Sequence, residues 1–187
     1  HIPQHIALIM DGNRRLAKKK GLPTLVGHAK GYNGIERIVL HAKSRGVKYI
    51  TFWAFSTENW KRDEKEVRYL LGLFRKVFKS RLVKKLLKEG GKIIVLGDLS
   101  KFPEDIQKEC LNLIETSKSN SDITINIALN YGGRDEIVHA MRQIVAEDIP
   151  EDKITPELME KYLYTKGQPD PDLVVRTGGE QRLSGYL

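Results

Sequence analysis

Hydrophobic and polar positions alternate along the chain in blocks that have the lengths of strands and helices. Short runs of apolar, β-branched and aromatic residues predict buried strands, which we place at residues 6–10, 49–55, 92–96, 123–129 and 172–175. Segments with apolar residues three and four positions apart separate these runs. This order predicts a single α/β domain over residues 1–187, with a central, mostly parallel, twisted sheet flanked by helices.

The predicted helices follow from this spacing and from the residues that end them. We place them at residues 13–20, 65–89 and 103–119, with others that open at Gly27-His28, after Gly133 and at Thr155-Pro156. The helix at 65–89 is the longest, and Gly90-Gly91 is typical of a helix end. Its apolar stripe either belongs to the core or faces a cavity, and consists of Val67, Leu70, Leu71, Phe74, Phe78, Leu82 and Leu86.

The charge of the chain is strongly positive. The formal net charge is +8 at pH 7, which favours an anionic partner: nucleic acid, an anionic membrane surface or a phosphorylated substrate. Much of the excess lies between Lys61 and Lys92, where the basic residues form either a solvated helix face or a contact with anionic lipid.

The cysteine content and the hydropathy pattern bear on the compartment. Cys110 is the only cysteine, which excludes an internal disulfide and fits a reducing environment, and we expect its side chain to be buried. No apolar run reaches the roughly 18 residues that a membrane span requires. We therefore expect a cytoplasmic protein with, at most, a peripheral association with membranes.

Polar segments follow four of the predicted strands, at residues 11–15, 56–60, 130–134 and 176–180. The carboxyl ends of parallel strands share one edge of a sheet, where open α/β sheets bind their ligands. There Asp11 could hold a metal, Arg14 and Arg15 could hold phosphate, and glycines would let the backbone approach a diphosphate. The alternative for this first segment is a capped turn with solvated arginines. The segments contain neither a P-loop nor a GxGxxG motif, which disfavours a nucleotide site.

Several motifs in these segments resemble those of the cis-prenyltransferases, the undecaprenyl diphosphate synthase family. They are MDGN at 10–13, GH at 27–28, FSTENWKR at 55–62, LNYGGRDEI at 129–137 and DLVVRTGGEQRLS at 172–184. The resemblance spans nearly the whole chain in the order and spacing of the family. It implies a Mg²⁺-dependent transferase that condenses isopentenyl diphosphate in the cis sense onto an allylic diphosphate such as farnesyl or geranylgeranyl diphosphate. The product would be a long-chain, undecaprenyl-type polyprenyl diphosphate lipid carrier.

The resemblance also implies an architecture and an assembly. A hydrophobic product tunnel would lie between the sheet and the long helix, and the protein would be a homodimer. The family continues past Leu187 with a helix and a strand that supply a second Mg²⁺-binding glutamate and much of the dimer interface. We therefore expect the C-terminal part of the domain to be missing.

The resemblance assigns roles residue by residue. Asp11 would bind Mg²⁺ and assist the loss of the allylic diphosphate, and Asn59 would act in proton transfer. Residues expected to cradle the allylic diphosphate are Gly12, Asn13, Arg14 and Arg15, with His28 beside it. Residues expected to close over the substrate are Ser56, Thr57, Glu58, Trp60 and Arg62, although Trp60 could instead be a packing residue. Residues expected to bind the diphosphate of isopentenyl diphosphate are Arg176, Arg182, Leu183 and Ser184.

Three positions depart from the usual pattern. Leu16 replaces a tryptophan of bacterial members, which puts one aromatic substrate contact in doubt, and Thr24 stands where an arginine that assists the allylic diphosphate is often found. Arg14 stands where bacterial members usually have glycine, so it is expected to add to phosphate binding. We keep Leu16 and Thr24 among the expected substrate-binding positions.

Two other functions compete with this one. A non-catalytic partner subunit of the same fold would be expected to lose the metal aspartate or the arginine motif, whereas Asp11, Asn59, Arg176 and Arg182 are all present. A nucleic-acid-binding α/β domain is suggested only by the charge. Since neither aromatic stacking platforms nor a one-sided basic surface is evident, we expect no nucleic-acid partner.

Overall fold

Five parallel strands form the centre of the molecule in a computed structural model, which describes residues 1–21 and 34–187 and, within them, no side chain at position 14. The strands are β1 (His5–Ile9), β2 (Tyr49–Ser56), β3 (Gly91–Leu96), β4 (Ile123–Tyr131) and β5 (Leu173–Arg176). Their spatial order is β3-β4-β2-β1-β5, and every neighbouring pair is parallel. The predicted α/β fold with a parallel central sheet is confirmed.

Helices connect the strands. They are α1 (Asn13–Lys19), α2 (Ile35–Ser44), α3 (Glu64–Phe78), α4 (Arg81–Lys88), α5 (Glu104–Ser117), α6 (Gly133–Ala146) and α7 (Pro156–Glu160). A short 3₁₀ helix, Thr57–Lys61, follows β2, and others lie at Leu99–Lys101 and Glu151–Lys153. Thr155 caps α7 by accepting a hydrogen bond from the Leu158 N–H, with Pro156 in the first turn, as predicted. None of the described helices is long and apolar enough to cross a membrane.

The predicted long helix at 65–89 is wrong, because the chain breaks into two helices at Lys79 and Ser80. Ser80 adopts an extended conformation (φ −73°, ψ 161°), and its hydroxyl accepts from the Val83 N–H as the N-cap of α4. The apolar stripe nevertheless continues across the break. Its buried residues lie in the core, where Phe74 and Phe78 stack with ring centroids 5.8 Å apart. The product tunnel along this helix therefore stays a prediction.

Apolar side chains cover both faces of the sheet, because successive strand residues point to opposite sides. The larger cluster lies between the sheet and helices α2 to α5, and includes Ile50 and Phe52 of β2. The smaller cluster on the opposite face contains Ala7 and Ile9 of β1. Cys110 is 1% exposed in the larger cluster, as predicted, and burial raises the pKa of its thiol to about 12.

Strand register fixes where the polar segments meet. Ile9, the last residue of β1, lies opposite Trp53 of β2 and Arg176 of β5. Ser56, the last residue of β2, lies opposite Tyr131 of β4. The segments that follow these strands therefore leave the sheet at the same edge.

Candidate functional site

A cavity of ≈ 740 Å³ lies at the carboxyl edge of the sheet. The segments after β1, β2, β4 and β5 all contribute to its wall, as the sequence predicts for a parallel sheet. Residues expected to form the site and found in the wall are Asp11, Asn13, Ser56, Thr57, Glu58, Asn59, Arg62, Arg176 and Ser184. The cavity also has an apolar side, formed by Trp53, Ala54, Phe55 and Leu70.

An ion pair between Asp11 and Arg176 lies in the wall of the cavity. Asp11 Oδ2 accepts hydrogen bonds from Arg176 Nη2 at 2.9 Å and from Nε at 3.2 Å. The other carboxylate oxygen, Oδ1, accepts from the Gly12 N–H at 2.6 Å, and Arg15 Nη2 lies 3.6 Å from Oδ2. Asp11 is therefore a partner of several donors rather than a simple helix cap, and the N-cap position of α1 is Gly12.

These partners determine the protonation state of Asp11. Partial burial on its own raises the pKa of the carboxyl, but hydrogen bonds from Arg176 and the Gly12 N–H lower it, as do the charges of Arg176 and Arg15. The lowering effects together outweigh the raising effect of burial, so the pKa of Asp11 lies below its ordinary value. Asp11 is consequently an anion at neutral pH, next to a fixed guanidinium.

Backbone contact brings the β1 and β5 segments together. Gly12 has a φ of 86°, and a Cβ atom built on it would lie 2.8 Å from the Cα atom of Gly178. The Thr177 N–H donates to the Ile9 carbonyl at 3.2 Å, and its hydroxyl donates to the Asp11 carbonyl at 2.6 Å. These glycines thus allow two loops of the protein to meet, whereas the sequence suggested close approach of a diphosphate.

The segment after β5 folds back on Arg176. Arg176 Nη1 donates to Ser184 Oγ at 2.9 Å and to the Arg182 carbonyl. The Arg182 side chain forms an ion pair with Glu180, which also accepts from Arg15 Nη1 at 3.0 Å. Glu180 therefore holds two of the arginines that were expected to bind phosphate.

Several expected site residues lie elsewhere. Arg15, Leu16, Arg182 and Leu183 are exposed and outside the cavity wall, and Gly12 is partly buried and also outside it. Thr24 and His28 lie outside the described residues, as does the side chain of Arg14. The roles of these residues stay predictions.

The segment after β2 is a short 3₁₀ helix closed by its own side chains. Ser56 and Asn59 form a reciprocal capping box, in which the Ser56 N–H donates to Asn59 Oδ1 at 3.1 Å. Trp60 is half-buried, and its ring makes edge contacts with Phe55 and Phe102 at centroid distances of 4.9 and 5.1 Å. In this structure Trp60 is therefore a packing residue.

Some residues in the wall were not expected from the sequence. Trp53 stacks on Tyr186 with centroids 4.8 Å apart, and its Nε1–H donates to the Tyr131 carbonyl at 3.3 Å. Asp135, in the first turn of α6, accepts from the Thr57 hydroxyl at 2.9 Å. Trp53 directly follows the core residue Phe52 in β2, so the alternation of a strand predicts that its side chain lies on the opposite face of the sheet. The contact of Asp135 with Thr57 has no such signal in the sequence.

Asp11 is the carboxylate of the site that is expected to hold a metal. Asp11 has a side chain that is 31% exposed at the cavity. Within residues 1–21 and 34–187, no group of three or more His, Cys, Asp or Glu side chains could hold a metal ion. A single carboxylate fits Mg²⁺, which typically binds one or two carboxylates together with the phosphates of its substrate.

Comparisons with known proteins agree on one family. The undecaprenyl diphosphate synthase family model, Prenyltransf, matches residues 9–187. An isoprenyl transferase from Clostridium perfringens is 47% identical over an alignment of 190 positions, which covers 100% of this chain and 75% of that protein. The (2E,6E)-farnesyl-diphosphate-specific ditrans,polycis-undecaprenyl-diphosphate synthase of Micrococcus luteus is 42% identical over 191 residues, covering 100% and 76%.

Two solved structures have the same fold. Lavandulyl diphosphate synthase from Lavandula x intermedia, in complex with dimethylallyl diphosphate, superposes with a TM-score of 0.95 at 34% identity, covering 99% of this chain and 81% of that one. A probable undecaprenyl diphosphate synthase from Campylobacter jejuni has a TM-score of 0.80 at 26% identity, covering 98% and 78%.

Proposed function

The chain belongs to the undecaprenyl diphosphate synthase family of prenyltransferases, and from this premise we propose that it condenses isopentenyl diphosphate in cis onto an allylic diphosphate, with Mg²⁺. The observation that carries the proposal is the Asp11–Arg176 ion pair, at 2.9 Å in the wall of a cavity to which four strand ends contribute. A carboxylate and a guanidinium side by side suit a metal-bound diphosphate next to a second diphosphate.

The reaction separates charge, and the chain has a polar residue suited to the diphosphate of each substrate. An allylic diphosphate that ionises leaves a carbocation and an anionic leaving group. Mg²⁺ held by Asp11 would supply Lewis-acid stabilisation of that leaving group. Arg176 would bind the diphosphate of isopentenyl diphosphate through its planar guanidinium, whose orientation is fixed by Asp11 on one side and Ser184 on the other.

The remaining steps are attack by the double bond and loss of a proton. The isopentenyl double bond attacks the carbocation, and a proton must then leave the condensed product. We assign proton transfer to Asn59, whose amide oxygen is oriented by the Ser56 N–H at the cavity wall. The apolar side of the cavity, near Phe55 and Leu70, would exclude water from the cation and accept the hydrocarbon chain.

The product and the assembly belong to the same proposal. We assign to the chain a long-chain, undecaprenyl-type product that acts as a lipid carrier. A homodimer is supported by apolar side chains of α6 that are exposed in this chain, namely Ile137, Val138, Met141 and Val145. Peripheral contact with anionic lipid is supported by the exposed basic residues of α3 and α4, although Arg75 and Lys85 are already paired with Asp105 and Glu36.

The proposal is tested by following incorporation of labelled isopentenyl diphosphate with farnesyl or geranylgeranyl diphosphate, with Mg²⁺ or with a chelator. We expect a polyprenyl diphosphate only when an allylic diphosphate and Mg²⁺ are both present. No product under any of these conditions would favour the non-catalytic partner subunit. Tight binding to RNA or DNA with a steep salt dependence would favour the nucleic-acid-binding domain.

A further inference from the structure

The 3₁₀ helix Thr57–Lys61, which we call the β2 turn, is attached at two points, one at the end of β4 and one in the first turn of α6. Near its start, the Thr57 hydroxyl donates to Asp135 Oδ2 at 2.9 Å. Near its end, Trp60 Nε1–H donates to Asn130 Oδ1 at 2.8 Å. Contacts 70 and 78 residues apart in sequence thus hold a turn of five residues.

The attachment at Asp135 depends on a close approach of the backbone. Gly132 lies between the two side chains, and a Cβ atom built on it would be 2.6 Å from Asp135 Oδ2 and 2.9 Å from Thr57 Oγ1. Any other residue would therefore push the hydroxyl and the carboxylate apart. Thr57, Gly132 and Asp135 all contribute to the cavity wall, so the attachment lies at the site itself.

The attachment at Asn130 is rigid because both ends of its side chain are bonded. Asn130 is 5% exposed and has a left-handed backbone with a φ of 49°. Its Nδ2 donates to the Asp98 carbonyl at 2.8 Å, while Oδ1 accepts from Trp60. The Trp60 ring in turn packs against Phe55 and Phe102, which also contact each other.

Between these attachments lie Glu58 and Asn59, which both contribute to the cavity wall. The capping box of Ser56 and Asn59 ties this part of the turn to the end of β2. The turn therefore has fixed points at its start, its middle and its end, and the positions of Glu58 and Asn59 follow from them.

We infer that Asp135 and Asn130 are positioning residues, which act through Thr57 and Trp60 to hold Glu58 and Asn59 over the cavity. The inference rests on the proposed function for its effect on catalysis, whereas the attachment itself can be measured without any activity. A turn that leaves its position part of the time lowers the fraction of protein able to bind substrate, and the apparent affinity falls by that fraction. Loss of Asp135 should therefore raise the KM for isopentenyl diphosphate more than it lowers kcat.

The test uses variants of Asp135 and a matched control. Asp135→Ala removes the acceptor, whereas Asp135→Asn keeps an oxygen that can accept from Thr57. Asp105→Ala is the control, because Asp105 is also a carboxylate in the first turn of a helix, but it accepts from Arg75 rather than from a residue of the β2 turn. Hydrogen–deuterium exchange of the peptide covering residues 57–62 reports on the turn, and exchange of β3 reports on global folding.

We expect Asp135→Ala to raise exchange in residues 57–62 and the KM by about tenfold, as for a lost hydrogen bond to a charged group, with β3 unchanged. Asp135→Asn should restore most of the protection from exchange in residues 57–62 and most of the affinity reported by the KM. Asp105→Ala should alter neither the exchange nor the KM. Thr57→Val should raise the exchange and the KM as much as Asp135→Ala does. The variant that carries both Thr57→Val and Asp135→Ala should raise them no further. Exchange in the turn that is the same in Asp135→Ala as in the unsubstituted protein, or equally raised in Asp105→Ala, would overturn the inference. Absence of activity in the unsubstituted protein would instead contradict the proposed function and leave the exchange test decisive.

Discussion

Asp11 and Arg176 form an ion pair at 2.9 Å, although they are 165 residues apart in the sequence. The pair exists because β1 and β5 are parallel neighbours, with Ile9 opposite Arg176. It connects the segment assigned to the allylic diphosphate with the segment assigned to isopentenyl diphosphate. In the proposed function, the two substrates would meet across this contact.

The ion pair with Arg176 predicts how the pKa of Asp11 changes when its arginine partners are substituted. Arg176→Gln removes both hydrogen bonds to Oδ2 but leaves the partial burial, so the pKa of Asp11 should rise. Arg15→Gln should have a smaller effect, because Arg15 is more exposed and lies 3.6 Å away. A titration of the Asp11 carboxyl carbon by NMR measures both shifts, and an unchanged pKa in Arg176→Gln would contradict the assignment.

The contact between the loops that follow β1 and β5 predicts that a substitution of Gly12 lowers the free energy of unfolding. Gly12→Ala would place a Cβ atom 2.8 Å from the Gly178 Cα and would also strain a φ of 86°. Gly46→Ala is the matched control, since Gly46 has a φ of 89° and no atom of residues 1–21 or 34–187 lies within 4 Å of the added Cβ. The control should lose about 1 kcal/mol of unfolding free energy from strain alone, and Gly12→Ala should lose clearly more. Urea unfolding measures both, and equal losses would rule out a role for the close approach.

A buried histidine predicts how stability depends on pH. His5 is fully buried, with Nδ1 donating to the Pro169 carbonyl at 2.7 Å, so that Nε2 accepts from the Thr51 hydroxyl. Burial lowers the pKa of His5 below 6.5, against smaller raising effects of the Pro169 hydrogen bond and nearby aspartates. As the pH falls through about 6.5, the unfolded chain gains a proton that the native histidine does not, and stability falls.

The free energy of unfolding should therefore decrease from pH 7.5 to pH 5.5, with a contribution from His5 of up to about 1.4 kcal/mol. The decrease should be smaller in His5→Gln and unchanged in His41→Gln, since His41 is exposed on α2. Denaturant titrations at both pH values check this. The same pH dependence in all three proteins would show that another group is responsible.

The sequence predicts most of the fold because burial on both faces leaves a clear signal. The strand at Tyr49–Ser56 carries β-branched and aromatic residues in one run, and its predicted bounds differ by one residue. The break at Ser80 was hidden because Phe78, Leu82 and Leu86 keep the four-residue spacing of a continuous helix. A cap depends on the backbone angles of one residue, which the apolar pattern does not encode.

The site is harder to predict than the fold, because its contacts join distant parts of the chain. The positions of Asp11 and Asn59 at the cavity follow from strand order. The packing of Trp60 against Phe102, and the ion pair of Arg15 with Glu180, depend on side-chain directions that local sequence does not fix. An arginine in a motif can therefore be held by a carboxylate of the same site rather than stand free for phosphate.

The most direct test of the proposed function is the kcat/KM for isopentenyl diphosphate of Asp11→Asn, with Asp152→Asn as the matched control. Asp11→Asn keeps the size of the side chain but removes the charge that Mg²⁺ requires, whereas Asp152 is exposed and forms an ion pair with Lys153. We predict a loss of at least about a hundredfold for Asp11→Asn and none for Asp152→Asn. A kcat/KM for Asp11→Asn equal to that of the unsubstituted protein, at the same Mg²⁺ concentration, would contradict the proposed role of Asp11 in holding Mg²⁺.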